Sequence, residues 1–364
     1  MKEQNDKNPF RKLTGIRIIY PIIFGLGVVF FFFFKDFNPA AFSVLHFGKA
    51  VVFFLFLAIF FMLMRDIGYI IRLRVLTHNE LSWRQAIRVI LLWEFTSAVT
   101  PSAVGGTTIA TLYVYKEGIT LGRSTAVVMA TSLLDEVYFI LMFPLLLLLI
   151  NMNDLFVVGS HNAEIVSFAN EFLWFAIIGY ALKLFYTIIV SYGLFVNPRG
   201  LKWLLLWIFK LPLLRKFRYD AHLTGTDIIT SSRELKKQSV WFWIKAFGAT
   251  FFSWTSRYWV VNALFMAFFV VHDQFLLFAR QLVMWLMMLV SPTPGGSGFS
   301  EFIFTKYLGD FIPVDAAIIG SIAIGLALIW RLLSYYPYLI AGAIILPGWI
   351  KGKFGKDDPT LPIS

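Results

Sequence analysis

The chain has no cysteine among its 364 residues. That excludes disulfides, thiolate metal sites and cysteine nucleophiles together. Charge is scarce: Asp, Glu, Lys and Arg make up 15% of the residues, while 59% are hydrophobic and the mean hydropathy is +0.74. A soluble protein of this length has too little interior to hide that much apolar surface. Histidine is sparse. His46, His78, His161, His222 and His272 are scattered and form no metal cluster, and only His272-Asp273 sets one beside an acid. No nucleotide-binding motif is present, which argues against direct use of ATP, and no catalytic constellation marks an enzyme. No metal and no cofactor is expected. The strict alternation of an outer-membrane barrel is also missing.

What remains is an all-α polytopic integral membrane protein, because apolar runs reach about 20 residues, the length a bilayer requires. The net charge of +11 then reads as cytoplasmic loop charge, not nucleic-acid binding.

Two stretches interrupt the apolar sequence in the same way. The first is Thr100-Pro101-Ser102-Ala103-Val104-Gly105-Gly106; the second is Ser291-Pro292-Thr293-Pro294-Gly295-Gly296-Ser297-Gly298. Proline removes a backbone donor and glycine frees the backbone, so a helix does not pass cleanly through either stretch. Inside a bilayer such backbone survives only where protein buries it or where it lines a wet cavity. An offset of 191 residues takes Pro101 to Pro292, Gly105 to Gly296 and Gly118 to Gly309. The shared register points to an internal duplication. Paired Pro/Gly-broken apolar segments in two halves are the sequence sign of a transport-type site.

In chain order, residues 1–15 are a polar, basic N-terminal tail placed in the cytoplasm, and 16–34 form a first helix. A second helix over 47–64 meets Arg65, Asp66, Arg72 and Arg74, which read as its cytoplasmic end. Residues 83–99 and 103–115 are each too short to span and are expected as a re-entrant hairpin. Helices follow over 124–150 and 165–196, joined by a loop without Lys or Arg that is placed outside. The stretch 197–240 is the strongest positive-inside signal, with 201–214 as an interfacial helix. A helix over 241–271 leads to a second hairpin, 275–290 and 299–308. Three crossings between the hairpins invert the second relative to the first. Residues 314–349 are expected as one broken or strongly tilted unit ending inside, near Lys351, Lys353 and Lys356. The expectation is therefore about eight membrane segments, with two re-entrant hairpins in an inverted repeat. They form a single domain over 16–350, with repeat 1 at about 83–150, repeat 2 at about 274–345 and a C-terminal tail over 351–364.

The block from Thr100 through Leu121-Gly122-Arg123 to Leu133-Leu134-Asp135, with the distant P-x-P-G-G-x-G-x-x-E from Pro292 to Glu301, resembles the lysylphosphatidylglycerol synthase transmembrane-region family. This is the flippase-like domain of multiple-peptide-resistance-factor proteins. The likeness covers about 15–345. It implies movement of a lipid between leaflets, aminoacylated phosphatidylglycerol in the fused proteins. Where family members often carry Glu-Arg before Leu-Leu-Asp, this chain has Thr131 and Ser132.

Candidate site residues are charges set in apolar surroundings, which cost about 2.5–3.5 kcal/mol each at mid-membrane. Arg257 and Arg331 are candidates for a lipid phosphate, through bidentate contacts. Glu94, Asp135 and Glu301 are candidates for a cationic group or a coupling proton. The competing reading of Glu301 is a helix cap at Ser297, and that of Arg257 is a structural pair with Asp135 or Glu301. Pro101, Gly105, Gly106, Pro292, Pro294, Gly295, Gly296 and Gly298 form the broken-helix motifs, whose freed amides suit a phosphate. The expected partners are membrane lipids, whether anionic, aminoacylated or polyprenyl-linked, and a lipid-modifying enzyme encoded elsewhere. Besides a flippase, two readings stand at this stage: a non-catalytic partner of a lipid glycosyltransferase or synthase, and a membrane enzyme on lipid-linked substrates. The expected location is the bacterial inner membrane, with both termini in the cytoplasm.

Overall fold

The computed structural model describes residues 48–99, 103–156, 163–210, 218–289, 298–314 and 316–353. The expected helix over 16–34, the two tails up to 15 and beyond 353, Pro101, Pro292, Pro294, Gly295 and Gly296 lie outside the described residues. Within them every regular element is a helix.

Helix α1 spans Lys49–Leu76. It does not end near Met64 as the sequence reading had it. Arg65 and Arg72 are buried inside the bundle, because carboxylates on other helices receive them. Helices α2 (Trp83–Val99) and α3 (Ala103–Lys116) follow, with Gly105 and Gly106 in the first turn of α3. The start of α2 returns to the end of α3, where Gln85 Nε2 donates to the Glu117 carbonyl at 3.0 Å. Then come α4 (Leu121–Leu149), the short α5 (Met152–Phe156) and α6 (Ala163–Phe195).

The basic stretch after α6 folds as two helices, α7 (Pro198–Ile208) and α8 (Arg218–Lys236). Leu201 of α7 is buried against Gly193, while Trp203 and Trp207 are exposed, the division expected of an interfacial helix. Helix α8 rests on the start of α4, where Thr230 sits against Gly122.

Helix α9 spans Val240–Phe268, α10 Gln274–Met288 and α11 Phe299–Leu308. The middle of α10 reaches the end of α11: Arg280 Nη1 donates to the Tyr307 carbonyl at 3.1 Å. The last helices are α12 (Ala316–Ser334) and α13 (Tyr336–Lys353), separated by a turn at Tyr335. Pro337 supplies the reason, since it has no N–H to donate to the preceding turn. The chain stays connected across the break, with Tyr335 N bonded to the Arg331 carbonyl at 2.9 Å. The expected broken unit is thus two helices that meet at one residue.

Among the described residues, four stretches are long and apolar enough to cross a membrane: Lys49–Leu76, Leu121–Leu149, Phe172–Phe195 and Ile318–Lys353. Helix α9 is long enough, at about 43 Å for its length, but it carries Thr250, Ser253, Ser256, Arg257 and Asn262 and is not one of the four. It packs along α1 at short range. A Cβ on Gly68 would lie 2.8 Å from Ser253 Cβ and 3.0 Å from the Ala249 carbonyl, so only glycine allows this crossing.

The 191-residue register holds at the level of helices. It carries the start of α1, Lys49, to Val240, the start of α9, and the start of α2, Trp83, to Gln274, the start of α10.

Two separate apolar cores form. One gathers α10, α11 and α12 with the middle of α1 and the second halves of α4 and α9. The other gathers α2, α3 and α13 with the end of α1 and the first half of α4. Along α1, Met62 belongs to the first and Tyr69 to the second; along α4, Tyr138 and Leu134 divide in the same way. What lies between them is polar.

Candidate functional site

The layer between the two cores is built on one face of α1. Arg65, Tyr69 and Arg72 recur at intervals of four and three residues, which stacks them along a helix, with Asp66 beside them. Glu94 enters from α2, Asp135 from α4, Trp254 and Arg257 from α9, Trp285 from α10 and Tyr338 from α13.

Arg65 Nη2 lies 2.5 Å from Glu94 Oε2, and its Nη1 lies 3.0 Å from Asp66 Oδ1. Its buried Nε has no hydrogen-bond partner, but the rings of Tyr69 and Tyr338 cover the guanidinium at 4.7 and 5.0 Å. Cation–π attraction in a desolvated setting offsets part of that loss. The Tyr338 hydroxyl donates to Asp66, with oxygens at 2.7 and 2.9 Å. Arg72 grips Asp135 at 2.5 and 3.4 Å and reaches Thr250 Oγ1 at 3.2 Å. Trp254 Nε1 donates to the same carboxylate at 2.7 Å.

Two guanidiniums thus meet three carboxylates, but they are not equally placed. The side chains of Arg65 and Arg72 are 0% and 5% exposed, whereas Asp66, Glu94 and Asp135 are 19%, 23% and 24% exposed. The cations stand behind and the carboxylates in front. A buried charge with its partner removed is costly, so each buried guanidinium is matched to a carboxylate.

Arg257 is different. Among the described residues it makes no hydrogen bond or ion pair; its guanidinium lies over the faces of Trp285 at 4.3 Å and Trp254 at 5.1 Å. It is half-buried. The anticipated pairing of Arg257 with Asp135 or Glu301 is not what the structure has: Arg72 takes Asp135 and Arg331 takes Glu301. Stacked aromatics hold a guanidinium in place without using its N–H donors, which leaves a planar fork ready for an oxyanion.

Of the residues expected from sequence, Glu94, Asp135 and Arg257 meet in this layer. Glu301 and Arg331 form a second pair beside it. Arg331 Nε donates to Glu301 Oε1 at 2.8 Å, and its Nη2 bonds Ser300 Oγ. Glu301 Oε2 accepts from the Gly298 N–H at 2.7 Å, so the carboxylate caps α11 as well. The cap falls on Gly298, not Ser297. Gly298 has φ +85°, in the left-handed region that favours glycine. Gly105 and Gly106 lie on helical backbone, and the other glycines and prolines of the two motifs fall outside the described residues.

The sequence reading missed Arg65, Asp66 and Arg72 by treating them as a helix end. The signal was present: two arginines seven residues apart flank an acid and a tyrosine on one helical face. It also missed Lys183, whose Nζ bonds both Glu136 oxygens at 2.8 and 2.9 Å and ties α6 to the opposite side of α4.

Beyond this layer, further ion pairs fasten the helix ends. At one, Glu117 receives Trp349 Nε1 at 2.9 Å, Lys353 at 3.1 Å and Arg88 at 3.3 Å, while Arg123 pairs with Glu80 and Arg74 lies over Trp83. At the other, Arg280 is held by the Asp154 carbonyl, the Tyr307 carbonyl and Asp310.

Comparison with known proteins agrees with this architecture. The profile of a family described as the lysylphosphatidylglycerol synthase TM region matches residues 17–342. A UPF0104 membrane protein of Archaeoglobus fulgidus is 23% identical over 294 residues, covering 77% of this chain and 81% of its own length.

Proposed function

Because the chain belongs to the lysylphosphatidylglycerol synthase transmembrane-region family, we propose that it moves a phospholipid headgroup between the two leaflets of a membrane. The observation that carries this reading is Arg257: a half-buried guanidinium paired with no carboxylate among the described residues, set on two indole faces in the layer that holds partly exposed carboxylates. A bundle in lipid has little reason to keep such a cation except for an anionic guest.

In this reading Arg257 takes the phosphodiester by a bidentate contact. Asp66, Glu94 and Asp135 face it and take an amine or a coupling proton. Arg331 and Glu301 neutralise each other and position the hairpin. The helix pairs α2–α3 and α10–α11 are re-entrant hairpins of an inverted repeat within one domain over 16–350, and acyl chains stay in the bilayer while the headgroup crosses. In this reading the end that carries Arg74, Arg88, Arg123 and Lys353 is the cytoplasmic one, in keeping with the positive-inside rule. The membrane is the plasma membrane.

The test uses purified protein in vesicles of phosphatidylethanolamine and phosphatidylglycerol carrying a fluorescent phospholipid. The readout is how fast the probe becomes accessible to a membrane-impermeant quencher. Arg257→Ala is expected to slow transfer by about tenfold to a hundredfold, the value of a charge-assisted contact. Its thermal stability should stay near that of the parent, since no ion pair is broken. A parent that moves no phospholipid, or a variant that moves it at the parent rate, overturns the reading.

A further inference from the structure

We infer that Tyr335 is a positioning residue that couples the two hairpins to the charge layer. The inference rests on the lipid-transfer reading for its functional consequence, but its structural content stands alone.

The residues between Arg331 and Tyr338 touch three different parts of the molecule. Arg331 holds Glu301 and Ser300 at the start of α11, in the second hairpin. The Tyr335 hydroxyl donates to the Ala98 carbonyl at 3.1 Å, at the end of α2, in the first hairpin. Tyr338 donates to Asp66 in the charge layer. The Tyr335 ring also covers the Arg331 guanidinium, 4.7 Å from its centroid. One short segment, centred on the break between α12 and α13, is therefore in contact with both hairpin tips and with the residues opposite Arg257.

Each contact has a chemical reason. The last carbonyls of a helix have no partner within it, and Ala98 lies one residue before the end of α2. In an apolar interior such a group is costly unless a donor reaches it. Tyr335 is that donor, and it is buried. The break at Tyr335 matters as well: a straight helix has no reason to set this residue apart from the turns on either side, whereas the turn before Pro337 does. A displacement of either hairpin tip is therefore transmitted to the other through one side chain. A headgroup that draws on Asp66 is transmitted to both through Tyr338.

The absence of native cysteine makes a direct test available. Spin labels on Ser97→Cys, at the exposed face of the α2 tip, and Phe302→Cys, exposed on α11, report the distance between the hairpins by pulsed electron resonance. The Tyr335→Phe variant keeps the ring over Arg331 and removes only the hydroxyl, so the fold is retained. It is expected to broaden the distance distribution or add a second component, and to slow phospholipid transfer in the same vesicles about fivefold, the value of one hydrogen bond. Leu332→Ala, on the exposed side of α12, is expected to change neither. A distribution superimposable on the parent's overturns the inference. So does an unchanged rate in a parent that transfers lipid. If the parent moves no lipid, the lipid-transfer reading fails by itself and the distance measurement alone decides the role of Tyr335.

Discussion

The two halves of the molecule use one scaffold for opposite chemistry. The 191-residue offset that aligns the starts of α1 with α9 and of α2 with α10 takes Asp66 to Arg257 and Glu94 to Trp285. In the first half these positions hold carboxylates, backed by the fully buried Arg65. In the second half they hold a guanidinium lying on an indole. The halves therefore meet as an acidic wall facing a cationic, aromatic one. Neither half alone makes an amphoteric site; it arises where equivalent helices pack against each other. The halves also differ in how their ends close. The first hairpin closes with Gln85 and the half-exposed Arg88 on Glu117, the second with the buried Arg280 on the Tyr307 carbonyl and Asp310.

The largest expected effect separates the two arginine types. Arg65→Ala leaves Asp66 and Glu94 without their buried cation, a loss of about 3–5 kcal/mol for a broken buried pair. Thermal unfolding in detergent should show a large fall, in contrast to the small change expected for Arg257→Ala. Equal losses from both substitutions would erase the distinction between a buttressing and a ligand-facing guanidinium.

A smaller effect tests the seam between the halves. At Gly68 a Cβ would meet both the side chain and the backbone of α9. Gly68→Val is expected to cost about 1–3 kcal/mol, the range for forcing extra atoms into a packed interior. Gly248 also sits within these two helices but has nothing within 4 Å of its Cβ position, so Gly248→Ala should leave stability nearly unchanged. If the two behave alike in thermal unfolding, the seam is not where α1 and α9 are held close.

Much of this was legible in the chain. The apolar runs, the paired breaks and the register between the halves are local or periodic signals. The structure carries that register from a few prolines and glycines to the starts of four helices. Glu94, Asp135 and Arg257 were legible as charges in apolar sequence. Their partners were not, because pairing is a tertiary fact. Arg65 and Arg72 follow a long apolar run and look in sequence like the cationic end of a span; only the arrival of Glu94 and Asp135 from other helices makes them interior. Arg331 and Glu301 looked like independent ligands, yet 30 residues of chain fold back to join them. Within 197–240 an interfacial helix was legible over 201–214, and the rest was read as charge. The polar α8 gains its place by packing against α4.

The smallest expected effect concerns how the first hairpin closes. Gln85 Nε2 donates to the Glu117 carbonyl at 3.0 Å, and Gln85 Oε1 also accepts from Ser82 at 2.9 and 2.8 Å, so the side chain links the start of α2 to the end of α3. Gln85→Ala removes a neutral hydrogen bond between α2 and α3, worth about 0.5–1.5 kcal/mol. The Glu117 carboxylate keeps Trp349, Lys353 and Arg88, so the end should stay shut. Hydrogen exchange should register this as faster exchange confined to the amides around 83–88 and 114–118, with α10 and α11 unaffected. Faster exchange spreading into α10 and α11 would mean that the two hairpins open together, and the contrast between two separately fastened hairpins would fail.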